Sequence, residues 1–137
     1  FIIDPNDSMR ESLAMHVESL GHEVVAARSA DLCPHYHQDF QNCSQDNSCG
    51  DAIILGQKLP ILKGIDFIER RLHGGCKGSA ANNAIVCMPW SHSEHKRADD
   101  LGCRYFETPI QLSDITAWLK EVERNSPANR KLATLPS

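Results

Sequence analysis

Short apolar runs alternate along this chain with segments whose apolar residues recur at helical spacing. The runs predict five strands, at residues 1–4, 23–27, 51–55, 84–88 and 105–107. Strands that are separated by helical segments must pair in parallel, because a parallel connection needs a long crossover. The continuous apolar character of residues 51–55 is typical of a strand that is covered on both faces.

Right-handed crossovers distribute the predicted helices over both faces of such a sheet. The compact arrangement is an α/β, flavodoxin-like (βα)5 three-layer sandwich, whose parallel five-stranded sheet has the order 2-1-3-4-5. Its ligand crevice lies where strands one and three end. In this sequence those ends are Asp4-Pro5 and Leu55-Gly56.

The first predicted helix starts at a capping-box pattern, Ser8 with Glu11 three residues later. Its apolar residues recur at helical spacing, and Gly21 supplies its end; they are Met9, Leu13, Val17 and Leu20. Ser29 could cap a second helix, which Pro34 limits.

Three further helical segments follow. Residues 64–72 form one of them. Ser91 and Glu94 match a second capping box, and the helix that they open ends at Gly102. The last predicted helix spans residues 112–122, with an inward stripe of Leu112, Ile115, Leu119 and Val122.

The length and the net charge of the chain limit the number of domains and the kinds of partner that we expect. The 137 residues fit one domain, which we place at 1–123, followed by a tail or linker at 124–137. The net charge of -4 argues against a nucleic acid or an anionic membrane as partner. No apolar run approaches the ~20 residues of a membrane span. We read the six cysteines as thiols in a reducing, cytoplasmic compartment.

Segments 4–21, 23–27, 51–64 and 102–110 resemble, in this order, the receiver domain of bacterial response regulators. The resemblance covers about residues 1–123. It implies a role in two-component or phosphorelay signalling and no enzymatic activity. In that family an aspartate ends the third strand and takes the phosphoryl group, and Gly56 stands at its position.

The resemblance also implies that most other residues of the family's phosphorylation site are replaced in this chain. Of the two adjacent acids that hold magnesium, Asp4 is present and Pro5 replaces the other. The family's hydroxyl residue at the end of the fourth strand is replaced by Met88 or Pro89. Its lysine, which precedes a proline after the fifth strand, is replaced by Thr108, and the proline is kept as Pro109. We therefore expect no phosphorylation at this site, weak or absent magnesium binding, and no other cofactor. Asp4 is expected to hydrogen-bond the turn that follows the first strand.

The same family pairs through its fourth helix, fifth strand and last helix. On that surface Ala98, Tyr105 and Trp118 could mark a face for another signalling protein or for a second copy of the chain. The alternative reading of Tyr105 and Trp118 is packing in the core.

Two other kinds of function stay open. One is a metal- or thiol-based sensor in the region of Cys33, His35, His37, Cys43 and Cys49, although the spacing does not match paired zinc-binding knuckles. The other is a small flavodoxin-like binder of nucleotides or flavin. Residues 74–78 contain three glycines but lack the spacing of a phosphate loop, so we interpret them as a flexible connection.

Overall fold

A computed structural model of the protein describes residues 1–33, 43 and 47–133. Within these residues, a parallel sheet has the strand order β2-β1-β3-β4-β5, as the sequence predicted. Its strands are β1 (Ile2–Ile3), β2 (Ala26–Ala27), β3 (Ile53–Gly56), β4 (Asn83–Cys87) and β5 (Arg104–Glu107). The first two strands along the chain are shorter than predicted, because only two residues of each join the ladder.

The described part of the chain has four α-helices: α1 (Asp7–Ser19), α2 (Gly64–His73), α3 (His92–Leu101) and α4 (Leu112–Asn125). The first three connect successive strands, and α4 follows β5. Short 3-10 turns occupy Ala30–Leu32 and Ala80–Asn82. The second predicted helix is therefore described only as a 3-10 turn after Ser29. The rest of that segment lies outside the described residues.

Side chains from alternate strand positions build a core on each face of the sheet. Ile3, Leu55 and Ile85 join one cluster, in which α2 and α3 contribute Phe67, Ile68 and Ala98. Ile2, Ile54 and Val86 join the other, in which α1 and α4 contribute Leu13, Val17, Ile115, Trp118, Leu119 and Val122. Both faces are covered, which explains the unbroken apolar runs and confirms the three-layer arrangement.

The helix ends differ in part from the sequence patterns. The predicted capping box at Ser8 is wrong: α1 is capped by Asn6, whose side-chain oxygen accepts the amide of Met9 at 2.9 Å. Asparagine one position before Asp7 competes with serine for this role and lies where the chain turns. The capping box of Ser91 and Glu94 is confirmed, and Gly102 ends α3 in the left-handed region.

The predicted inward stripes are wrong at their outer residues. Leu20 and Leu112 are 37% and 44% exposed, because each lies at a helix end where the chain leaves the sheet.

The last described residues pack back against the sheet. Helix α4 continues past the boundary that we placed at residue 123 and ends at Asn125. Beyond it, Arg130 forms an ion pair with Asp51, and the amide of Ala133 donates to the carbonyl of Ser48 at 2.9 Å. Residues 126–133 therefore contact the domain. Among the helices of the described residues, none is long and apolar enough to cross a bilayer.

Candidate functional site

Asp4 and Gly56 end neighbouring parallel strands and border one hollow. The pairing of β1 with β3 matches Ile3 to Leu55, so Asp4 and Gly56 are the next residues on each side. A Cβ placed on Gly56 would lie 2.8 Å from Cγ of Asp4. The central geometric expectation from the sequence is confirmed. We call this space, with its rim at Met88 and Thr108, the degenerate pocket.

The Asp4 carboxyl is buried and already engaged. Its residue is 8% exposed, and Oδ1 accepts the Asn6 amide at 2.8 Å, as expected for a residue that stabilises the turn. Burial raises the pKa of Asp4, against the opposing effects of the Asn6 hydrogen bond and the nearby Arg10 cation. A carboxyl whose pKa is raised keeps its proton to higher pH, which makes it a weaker cation ligand.

Glycine at position 56 is required by space. A Cβ there would approach Cγ and Oδ2 of Asp4 at 2.8 Å, closer than real Cβ atoms pack, and Oδ1 at 3.1 Å, which is tighter than most real contacts. The carboxyl of Asp4 thus fills the volume that a side chain at position 56 would need. An acceptor carboxylate cannot be added at Gly56 unless Asp4 moves.

The rim of the pocket is formed by Met88 and Thr108. The amide of Met88 donates to Oε1 of Gln57 at 3.1 Å, and the Thr108 hydroxyl donates to Sδ of Met88 at 3.3 Å. Met88, which is 64% exposed, therefore faces Thr108. Met88 directly follows β4, and Pro89 comes one residue later. The sequence analysis missed Gln57, although its position directly after the strand end was a usable signal.

The prolines of the predicted site lie beside this rim. Pro5 directly follows Asp4 and is half-buried, whereas Pro89 and Pro109 are exposed. The peptide bond between Thr108 and Pro109 is cis. None of these rings can ligate a cation, so they leave Asp4 as the acid where β1 and β3 end.

The nearest further acid is held by arginines. Asp7 lies in the first turn of α1, and its Oδ1 accepts Nη2 of Arg10 at 2.6 Å. This bond and the charge of Arg28 lower the pKa of Asp7. Arg10 also donates through Nη1 to the Asp4 carbonyl at 2.8 Å. A cation therefore lies close to Asp4 and already engages Asp7, the next acid along the chain.

Two of the three residues that we expected on a partner face are in the interior. Ala98 is 0% exposed and Trp118 is 1% exposed. The indole of Trp118 packs edge-on to Phe106 with ring centres 6.0 Å apart, and its Nε1 donates to the Ala81 carbonyl at 3.0 Å. Trp118 is a core residue, as the alternative reading held. The sequence analysis placed it beside the inward stripe, although it lies three residues after Ile115 and therefore on the same helix face.

Tyr105 remains at the surface, and it belongs to a compact polar and aromatic cluster. Its ring stacks on His95 with centres 4.9 Å apart and lies 5.4 Å from Trp90. Nε2 of His95 lies 2.7 Å from Oε1 of Glu107, whose Oε2 accepts the Trp90 amide at 3.1 Å. These contacts tie the start of α3 to the end of β5.

The described residues give no geometric support to the alternative hypothesis of a metal-based sensor. Within residues 1–33, 43 and 47–133, no group of three or more histidine, cysteine or acidic side chains could hold a metal ion. Cys33, Cys43 and Cys49 are present as thiols. His35 and His37 lie outside the described residues.

No protein-family model matches the chain. No curated protein matches it either. Solved structures do share its fold. A two-component response regulator from Clostridium difficile has a TM-score of 0.68 at 18% identity, over 90% of this chain and 93% of that one. A putative response regulator from Chloroflexus aurantiacus has a TM-score of 0.68 at 19% identity, over 90% and 95%.

A third similar structure is the beryllofluoride-activated NtrC4 receiver domain dimer, solved in solution. Its TM-score is 0.68 at 17% identity, over 91% of this chain and 96% of that one. At these identities the similarity establishes the fold. The chain has the fold of response-regulator receiver domains.

Substitution of Gly56 by Ala tests whether the carboxyl of Asp4 fills the pocket. We expect Gly56→Ala to lower the free energy of unfolding by about 1–3 kcal/mol, because the added methyl overpacks against Asp4. In an Asp4→Ala background the same change should cost little, giving a coupling of about 1 kcal/mol or more in a denaturant-based double-mutant cycle. Asp4→Asn, which keeps the bulk, is the control and should leave the full cost. Additive effects of Gly56→Ala and Asp4→Ala would contradict the packing account.

Proposed function

We propose that this chain is a receiver-like signalling domain that acts by docking to a partner protein and is not phosphorylated at position 56. The observation that carries the proposal is the carboxyl of Asp4 in the side-chain space of Gly56. When the Asp4 carboxyl occupies the acceptor position, the outer faces of a receiver-like fold are still available for binding a partner. Its output must then depend on binding and not on a phosphoryl switch.

The rest of the pocket supports the same proposal. Thr108 carries no charge to counter a phosphoryl group, and Met88 offers a thioether where a hydroxyl would be needed. Magnesium prefers several hard oxygen ligands in near-octahedral geometry. The residues present do not fit that ion, so we propose weak or absent magnesium binding.

For docking we propose the face built by α3, β5 and α4, with Tyr105 as its aromatic contact. Tyr105 is partly exposed and is held by His95 and Trp90, so little conformational freedom is lost when a partner covers it. Leu112 is 44% exposed at the start of α4 and adds apolar area. The partner would be another signalling protein or a second copy of the chain.

Sedimentation velocity and affinity capture from the native cell test the docking proposal together. We expect Tyr105→Ala to lose either self-association or the captured partner, whereas Met15→Ala should keep both. Met15 is a matched control because it is 73% exposed on α1, a helix that is not part of the proposed face. Acetyl phosphate should change neither result. Association that needs acetyl phosphate, or that is equal in all three proteins, would contradict the proposal.

A further inference from the structure

Thiols gather at the edge of the sheet where the strands begin, opposite the degenerate pocket. We call the following four residues the thiol cluster: Cys33, Cys43, Cys49 and Cys76. The amide of Cys43 donates to the carbonyl of Gly74 at 2.5 Å, which places it against the turn that carries Cys76. A Cβ on Gly78 would lie 3.7 Å from Sγ of Cys76 and 3.4 Å from Oγ of Ser48. The residue before Cys49 therefore lies beside the same turn.

Electrostatics supports this proximity. Burial raises the pKa of Cys49, and negative charge on Cys33, Cys76 or Cys43 would raise it further, while Arg71 opposes the shift. These charge effects place Cys49 within electrostatic range of each of the other three sulfurs. Cys33 also packs against the apolar cluster of Ile53 and Ile68 on this face of the sheet.

Arg71 brings a buried positive charge to the thiol cluster. The residue is 9% exposed, and its guanidinium lies 5.4 Å from the centre of the Phe67 ring. Nη1 donates to Oδ1 of Asn83 at 3.0 Å, and Nη2 donates to Sγ of Cys76 at 3.0 Å. Among the described residues, no carboxylate forms an ion pair with Arg71.

A buried cation without an acid beside it is unfavourable unless another anion is available. The Cys76 sulfur accepts a hydrogen bond from this guanidinium, which places a cation beside the sulfur that would attack an electrophile. The chain therefore combines a candidate nucleophile at Cys76 with neighbouring thiols that could react with it.

From this geometry we propose that the thiol cluster is a peroxide-responsive site, in which Cys76 is oxidised and then forms a disulfide with one of the other three cysteines. This inference goes beyond the docking function and does not depend on it. The bond would tie the start of β4 to the segment before β3. Hydrogen peroxide or an organic hydroperoxide would be the oxidant.

The proposed chemistry proceeds in two steps. The Cys76 thiolate attacks a peroxide oxygen, so that an S–O bond forms, the O–O bond breaks, and the leaving oxygen takes a proton as water or alcohol. A neighbouring thiol then attacks the sulfur of the resulting sulfenic acid. The S–S bond forms, the S–O bond breaks, and water leaves. Two thiols lose two electrons and two protons to one peroxide.

Trypsin separates the participants cleanly. Cleavage at arginine and lysine leaves Cys76 alone on the peptide 72–77, whereas Cys33, Cys43 and Cys49 share the peptide 29–58. After treatment of the full chain with equimolar peroxide, we expect two of the six thiols to resist alkylation. Mass spectrometry should show 72–77 linked to 29–58 by a disulfide. The folded chain should react about tenfold faster than the urea-unfolded chain, where Arg71 no longer contacts Cys76.

Two buried cysteines serve as internal controls. Burial raises the pKa of Cys87 to about 12, with Glu107 and Glu94 adding to the shift, and burial also raises the pKa of Cys103. Their peptides should stay unlinked, and Cys103→Ser should keep the cross-link that Cys76→Ser abolishes.

Six alkylatable thiols after peroxide treatment, a cross-link to Cys87 or Cys103, or equal rates in the folded and unfolded chains would each overturn the proposal. The cross-linked tryptic peptides of the wild-type chain test the proposal even if Cys76→Ser does not fold.

Discussion

Trp118→Ala is expected to lower the free energy of unfolding by about 3–5 kcal/mol, the largest effect that we predict for a single substitution. The indole is 1% exposed and packs between α4 and the sheet, beside Phe106. Alanine would leave a cavity there and would remove the donor of the hydrogen bond to Ala81. For a domain of this size, the melting temperature should fall by roughly 10–20 °C.

Leu112→Ala on the same helix is the matched control. Leu112 is 44% exposed, so its truncation should change the free energy of unfolding by about 0.5 kcal/mol or less. Thermal and urea unfolding of the two variants measure the difference. If Trp118→Ala is as stable as Leu112→Ala, the indole is not a core residue and the surface reading of Trp118 returns.

Gly64→Ala is expected to lower the free energy of unfolding by about 3 kcal/mol, at the upper end of overpacking costs. A Cβ on Gly64 would clash with the carbonyl oxygen of Gly56. That oxygen belongs to a buried strand and cannot rotate away as a side chain does. Elsewhere in a helix, glycine to alanine would stabilise by about 0.5–1 kcal/mol, so here the expected sign is reversed.

Gly78→Ala separates this steric effect from the general effect of removing a glycine. A Cβ on Gly78 would meet its nearest atoms at 3.4–3.7 Å, which is ordinary contact distance. Its free energy of unfolding should change by about 0.5 kcal/mol or less. Urea denaturation compares the two proteins. Equal stabilities would mean that α2 does not begin as close to β3 as the coordinates show.

The fold was predictable from sequence because its signals are long and repeated. Each buried strand has an apolar run that supplies both faces of the sheet, as at Ile53–Gly56, and helical spacing marks the segments between the strands. The position of Gly56 beside Asp4 followed from the strand order alone. Predictions of this kind survive errors of one or two residues at the ends of elements.

Side-chain environments were less predictable, because they depend on the packing of distant segments. Trp118 enters the core since α4 lies against β5. Its spacing from Ile115 and Val122 is that of a buried helix face, a signal that the sequence analysis did not use. The burial of Arg71 depends on Asn83 and Cys76, which lie in other elements. The clash between Asp4 and position 56 is also a matter of tenths of an ångström, which sequence cannot provide.

The central claim is that the pocket between Asp4 and Gly56 cannot accept a phosphoryl group, and intact-mass spectrometry tests it most directly. The chain is incubated with acetyl phosphate and magnesium, beside a receiver domain that carries the acceptor aspartate. Our account predicts an unchanged mass for this chain and a phosphoryl adduct on the other domain. A stoichiometric adduct that maps to a carboxylate at the pocket, Asp4 above all, would contradict it.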